Sequence, residues 1–200
     1  FCLVAADQLF NQTGKVRHMF GGEHAVPMVL RSRAAVGSGY GSQHSMDASG
    51  LFAQYPGWRI VAPSTPFDYI GLMNTAVRSD DPVLMVEHQG LFPTRGLIPT
   101  EDRDYCIPFG KARTVRPGAA CTVICWGIMV GYALAAVEAT GIDAEVIDLR
   151  TIDPMGLDWD AVEDSVRRTN RVLIAEQTTR GTTVAARMAH ELQERCFDWL

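Results

Sequence analysis

Basic residues are too few and too scattered in this 200-residue chain to follow a polyanion. The longest basic run is Arg167-Arg168, and the formal net charge is −5. A nucleic-acid footprint needs a basic patch or stripe, so that class of function is excluded. Long apolar runs are missing too: none approaches the roughly 18 residues that span a bilayer. Phe1-Cys2-Leu3-Val4 carries no basic segment of the kind that opens a signal peptide. There is no initiator Met, and Phe197-Asp198-Trp199-Leu200 offers no helix stop, so an internal segment of a longer chain is expected. The five cysteines at 2, 106, 121, 125 and 196 are odd in number, irregular in spacing and form no Cys-x-x-Cys. Cys121 and Cys125 lie four apart in an apolar strand pattern and share a face, which predicts buried thiols rather than a disulfide or metal site. A reducing compartment fits this usage. A Walker A loop, a zinc-spaced cluster and a Gly-x-Ser-x-Gly elbow are all absent.

What remains is ordinary globular composition, 47% hydrophobic and 20% charged, with a strong alternating pattern. Leu3, Ala6, Leu9, Phe10 and Phe20 suggest an amphipathic helix ended by Gly21-Gly22. Strands are expected at Pro27–Arg31, Arg59–Ala62 and Val83–Val86, with a helix after Asp47 and another opened by Ser64-Thr65-Pro66. Residues 88–118 hold Pro93, Pro99, Pro108 and Pro117 and the solvated acidic cluster Glu101-Asp102-Asp104, and they read as a connection. Strands at Thr122–Trp126, Ala144–Asp148 and Arg171–Ala175 then alternate with helices over Met129–Thr140, Trp159–Arg168 and Thr182–Cys196. Strands separated by helices of this length imply parallel sheets of right-handed βαβ units. The expected fold class is therefore α/β, two parallel-sheet units joined by a linker: 1–90, a linker at 91–118, and 119–200.

Gly37-Ser-Gly-Tyr-Gly-Ser42 superficially suggests a dinucleotide loop, but a Rossmann fingerprint turns directly from strand into helix, and here six residues separate Arg31 from Gly37. The glycines instead precede Gln43-His44-Ser45 at a strand-to-helix connection. Ligand sites of parallel sheets gather beyond the carboxyl ends of strands, and imidazole ordinarily titrates near neutrality. His44 is thus the candidate acid–base group. His18, His24, His88 and His190 rank below it, His24 and His88 as loop residues without reactive neighbours and His190 as a helix-surface residue. Ser42, Ser45 and Asp47 flank His44, but sequence adjacency does not build a triad.

Seven stretches in order resemble the β subunit of the E1 component of 2-oxo acid dehydrogenase complexes, the pyruvate, acetoin and branched-chain type. They are Asp7-Gln8 with Lys15-Val-Arg17 and Met19-Phe-Gly-Gly22; Val26–Arg31; Gln43-His44-Ser45; Tyr55-Pro-Gly57 leading to Val61–Pro66; Asp80-Asp81-Pro82; Pro108–Ala112; and Glu145–Thr151. The resemblance implies a thiamine pyrimidine-binding domain followed by a transketolase C-terminal-like domain, both truncated. It implies thiamine diphosphate with Mg²⁺, the diphosphate held by an E1 α subunit in an α2β2 tetramer, and transfer to a lipoyl acyltransferase, E2. His44 falls on the family's active-site histidine, and Phe1 on an aromatic that packs on the cofactor's aminopyrimidine. Ala76, Val77, Ser79 and Asp81, with Met28, match a monovalent-cation site for K⁺ built largely from carbonyls. Departures are Ser79 for Asp, Asp81 for Asn, Met46 for Gln, and Arg187 with Thr178–Thr183 for a Gly-rich segment. The family's Glu that protonates the pyrimidine falls before Phe1. The setting implied is bacterial cytoplasm or mitochondrial matrix, the former preferred. Other readings are a transketolase or deoxyxylulose-phosphate synthase type, or a non-catalytic subunit. Gln43 favours the pyruvate/acetoin branch.

Overall fold

A computed structural model describes residues 2–179 and 183–200. Two sheets organise them. In the first, β1 (Val29–Ala34), β2 (Arg59–Val61) and β3 (Val83–His88) are parallel in the order β1-β3-β2. Val83–Val86 are all buried, as expected of a central strand covered on both faces. The crossover from β1 to β2 carries two single turns, α2 (Gly41–His44) and α3 (Ser49–Phe52), after a short α1 (Val16–Met19) near the start of the chain. The crossover from β2 to β3 is α4 (Pro66–Ala76), with proline in its first turn and the Thr65 side chain accepting from the Asp68 amide at 3.1 Å.

The second sheet contains β4 (Arg113–Arg116), β5 (Cys121–Cys125), β6 (Ala144–Asp148) and β7 (Val172–Ala175) in the order β4-β6-β5-β7. Its helices are α5 (Ile128–Thr140), α6 (Trp159–Thr169) and α7 (Val184–Cys196). Their ends follow from local chemistry. Gly141 takes the left-handed conformation after α5, Asp158 accepts from Ala161 to open α6, and Thr183 accepts from Ala186 to open α7.

Three expectations change. The N-terminal segment is not one amphipathic helix but a 3₁₀ turn at Cys2–Ala5, a π-helical Asp7–Thr13 and then α1. Leu9 and Phe10 are buried, whereas Leu3 and Phe20 are about half exposed. Gly14 lies against the Trp58 indole, so the chain bends there to meet the core. Strand β4 lies inside the stretch read as a linker, leaving 89–112 as the connection between the sheets. Its four residues, Arg-Thr-Val-Arg, are too short and too polar to announce a strand. It also pairs antiparallel with β6, so the second sheet is mixed rather than wholly parallel.

The two units share one core. Phe52, Trp58 and Ile60 from the first join Ile124, Trp126, Ile147, Leu149 and Met188 from the second in a single buried cluster. Backbone pairing crosses the seam as well. Thr151 bridges Val61, the Ala62 amide donates to the Arg150 carbonyl at 2.8 Å, and the Ile152 amide donates to the Ile60 carbonyl at 2.8 Å. The free edge of β2 is thereby covered, which removes an aggregation-prone strand edge.

A buried ionic network fastens the same seam. Asp68 is fully buried and receives Arg150 Nη2 at 2.6 Å, Arg113 Nη2 at 3.2 Å and the Thr65 hydroxyl at 2.5 Å. Asp148 beside it accepts from Ser64 Oγ at 2.5 Å. Burial pushes the Asp148 carboxyl up to about 6; the Ser64 hydrogen bond and the two arginines pull it down, and Asp68 adds to the rise. A carboxyl raised above its unfolded value binds its proton more tightly in the folded chain. Its contribution to stability is therefore greatest below the unfolded value and is lost as pH rises through about 6. Asp148→Asn is expected to flatten the pH dependence of urea midpoints between about pH 4 and 7, by on the order of 2 kcal/mol across that window. An unchanged slope in the variant would show that Asp148 titrates normally.

Candidate active site at the carboxyl ends of the first sheet

The connection after β1 carries His44 at the end of α2, on the carboxyl side of the first sheet. Gly37, Gly39 and Gly41 all have positive φ, and a Cβ at any of them would meet nothing within 4 Å. Among the described residues, the glycines therefore serve the sharp path of the loop rather than side-chain contacts. His44 is exposed on this loop, as are Ser42 and Gln43. The loop is internally braced: Ser45 Oγ accepts from the Tyr40 amide at 3.0 Å, the Ser45 amide donates to the Gly41 carbonyl at 3.1 Å, and the Ala35 amide donates to the Met46 carbonyl at 3.2 Å. Met46 thus enters through its backbone. Asp47 closes the loop, its Oδ1 accepting from the Ser49 amide at 2.8 Å to open α3.

His88 requires a correction. It is not a loop residue without reactive neighbours: it ends β3, is 2% exposed, and its Nε2 lies 3.9 Å from Asp47 Oδ2. Burial lowers its pKa from the usual histidine value, against the pull of the Asp47 carboxylate. His88 Nδ1 and Asp47 Oδ2 have no hydrogen-bond partner among the described residues. The signal was available in part, because a histidine directly following Val-Leu-Met-Val-Glu continues a buried strand. The partner was not, because Asp47 is brought to it by the fold alone. His88 also touches the second unit. Gly127 has φ +54, and a Cβ there would come within 2.3 Å of the His88 ring. Glycine is required at that turn both by conformation and by close approach. Glu176, from the strand side of the second unit, caps α7 by accepting from Val184 at 3.3 Å and Ala185 at 3.1 Å. Its carboxyl is raised, by burial first and by Asp47 as well.

His88 also lines a cavity of about 590 Å³, together with Pro63, Ser64, Tyr69, Leu91 and Phe92 among others. Tyr69 donates to Glu87 Oε1 at 2.6 Å and Arg31 pairs with the same carboxylate at 2.5 Å. The Tyr69 hydroxyl is pushed up to about 12, by burial and then by Glu87.

The residues expected at a cation site are brought together elsewhere. Ala76 ends α4, and Val77, Ser79 and Asp81 follow it to the amino end of β3, the opposite end of the sheet from His44. Met28 reaches the same corner, its carbonyl accepting from Val83 at 2.8 Å. The Asp81 carboxylate is paired with Arg17 at 2.5 Å, and the Ala76 carbonyl accepts from the Ser79 amide at 3.1 Å. Phe1 lies outside the described residues, as does part of the Thr178–Thr183 stretch. Among the described residues no group of three or more His, Cys, Asp or Glu is placed to hold a metal ion, and no helix is long and apolar enough to cross a membrane.

Comparison with known proteins agrees with this architecture. Residues 5–94 match the family model for the transketolase pyrimidine binding domain, and residues 110–200 that for the transketolase C-terminal domain. The chain is 38% identical over 200 residues to the β subunit of acetoin:2,6-dichlorophenolindophenol oxidoreductase of Cupriavidus necator, covering 98% of this chain and 58% of that one. It is 37% identical to the 2-oxoisovalerate dehydrogenase β subunit of Pseudomonas aeruginosa, covering 98% and 60%. It is 35% identical to the pyruvate dehydrogenase E1 β subunit of Rhizobium meliloti, covering 100% and 44%. The chain thus spans roughly half the length of these relatives, and identities so similar do not separate their substrates. A solved split-gene transketolase, described as an inactive β4 tetramer, superposes with a TM-score of 0.66 at 20% identity over 94% of this chain and 61% of that one, a likeness of fold. The chain thus carries, in order, a transketolase pyrimidine binding domain and a transketolase C-terminal domain, the arrangement matched in these E1 β subunits.

Proposed function

We propose that this chain is part of the β subunit of a thiamine-diphosphate-dependent 2-oxo acid dehydrogenase, active with an α subunit. The observation that carries the reading is the open face at His44: a histidine exposed on a glycine-rich loop, at the carboxyl ends of the first sheet. That face suits a cofactor held largely by another subunit, because the three glycines at positive φ keep the backbone there clear of side chains of their own. Thiamine diphosphate, with its Mg²⁺, would supply decarboxylation of the 2-oxo acid and carriage of the acyl group. Phe1 would pack on its pyrimidine ring. His44 would bring an acid–base group to the entrance of the site. There its imidazolium would deliver a proton to one lipoyl sulfur as the other takes the acyl group and the S–S bond opens. The α subunit and the lipoyl acyltransferase are the proposed partners. The five cysteines are all free thiols, which fits a reducing compartment, bacterial cytoplasm or mitochondrial matrix alike.

For the monovalent cation, the carbonyls of Ala76, Val77, Ser79 and Asp81 are the proposed ligands. Arg17 already neutralises the Asp81 carboxylate, so a cation there would depend on backbone dipoles more than on charge. Co-expression of the full-length protein with its α subunit is expected to give thiamine-dependent oxidative decarboxylation of pyruvate or a related 2-oxo acid, measured with an artificial electron acceptor. Absence of turnover across a panel of 2-oxo acids would refute the reading. The same assembly, melted in KCl and in NaCl, should show a higher Tm in KCl; identical melting would remove the cation site.

A further inference from the structure

We propose that Gln89 is a positioning residue for His44, tying the glycine-rich loop to the rigid end of β3. The catalytic consequence rests on the E1 reading above; the tie itself rests on geometry alone. Gln89 Nε2 donates to the Tyr40 hydroxyl at 2.7 Å, and Gln89 Oε1 accepts from Arg33 Nη1 at 3.4 Å. Tyr40 immediately precedes α2, the turn that ends in His44, and its amide is bonded to Ser45 Oγ just beyond His44. A shift of the Tyr40 ring is therefore passed to both sides of His44. Arg33 lies on β1, one residue before that strand ends, so Gln89 holds the stem of the loop and its middle together.

The anchor behind Gln89 is unusually fixed. His88 is wedged between Asp47, at 3.9 Å on the far stem of the loop, and the Gly127 turn of the second unit. Gly90, on the other side of Gln89, lies so close to Ile128 that a Cβ would fall 2.4 Å from its Cδ1. The segment His88-Gln89-Gly90 is thus pinned by the start of α5 at both ends. The loop it grips has three glycines at positive φ, with no described residue within 4 Å of where their Cβ atoms would lie, so these positions add no packing to it. A proton donor must sit within a fraction of an ångström of its productive place, and misplacement of about 1 Å can cost on the order of 100-fold. Gln89 adds to the loop's own hydrogen bonds a tie that runs to β3.

The test uses the full-length protein assembled with its α subunit, in wild-type form and as Gln89→Ala, Tyr40→Phe, the double variant and Gln89→Glu. Hydrogen exchange of the 35–48 segment is followed by mass spectrometry, and lipoyl-domain acylation and decarboxylation are measured separately. Gln89→Ala is expected to speed exchange of the Tyr40 and Ser45 amides roughly five- to ten-fold, with exchange in β5 and β6 unchanged. Acylation should fall about ten-fold more than decarboxylation. The double variant should resemble either single one, because both remove the same bond. Gln89→Glu, which can accept from both the Tyr40 hydroxyl and Arg33, should retain the wild-type behaviour. Unchanged loop exchange in Gln89→Ala would overturn the tie. Faster exchange with equal losses in both steps, or with no loss, would overturn the positioning role. If the wild-type assembly turns over no 2-oxo acid, the E1 reading fails, whereas the exchange data still decide the tie.

Discussion

Under the proton-donating role proposed for it, replacing His44 by alanine in the assembled enzyme is expected to slow acyl transfer to lipoyl domains by roughly 10² to 10⁴-fold, the usual worth of a positioned general acid. Decarboxylation followed with an artificial electron acceptor should fall by much less. The split follows from what each step demands. An artificial acceptor needs no proton delivered to sulfur, whereas opening the dithiolane leaves a thiolate that must be protonated as it departs. His44 lies on an exposed turn at the mouth of the loop, where an incoming lipoyl group could reach it. A variant with equal losses in both steps would show that His44 shapes the site rather than donating the proton. His44 is exposed, so a folding defect is checked directly alongside the rates. Thermal melting of the variant within about 2 °C of the parent would show the fold intact.

Asp68→Ala should be the most damaging single change to the fold itself, at about 3–5 kcal/mol. The carboxylate is fully buried and accepts from Arg150, Arg113 and Thr65 at the junction of the two units. Removing it leaves Arg150, 11% exposed, beside a vacated acceptor site, and leaves Arg113, 33% exposed, with only the more distant Asp148. An uncompensated buried cation costs far more than the net worth of the pair, because the cost is desolvation that nothing now offsets. The partial exposure of Arg113 places the expected loss toward the lower end of that range. Chemical denaturation of the full-length protein measures it, and Asp68→Asn, which keeps the acceptor geometry without the charge, should recover part of the loss. A change below about 1 kcal/mol for the alanine variant would mean that solvent replaces the carboxylate freely.

The sequence made some elements readable and others not, for reasons visible in particular residues. Val83–Val86, Cys121–Cys125 and Ala144–Asp148 are continuous apolar or near-apolar runs bounded by turn signals, and each became a strand of a parallel pair. Pro66 behind Thr65, and Gly141 behind Thr140, marked helix ends through conformational limits that act within a few residues. The N-terminal segment misled because its apolar spacing ignored Gly14, whose place under Trp58 is set by a residue 44 positions away. Strand β4 was hidden because its sheet face is supplied by β6, not by its own pattern.

The site divides in the same way. His44 could be nominated from its own neighbours: three glycines, a strand behind it and a resemblance carried by Gln43-His44-Ser45. His88 could not be ranked, because its importance lies in Asp47 and Gly127, which are 41 and 39 residues distant. The order and type of the main elements, the two α/β units and the nomination of His44 as a candidate are what the sequence by itself determined, since all rest on periodicity, local backbone chemistry and motif order. Tertiary structure alone decided the shared core, the Asp68 network, the burial of His88 and the grip of Gln89 on Tyr40. These depend on distances between residues far apart in the chain, and no local pattern encodes a distance.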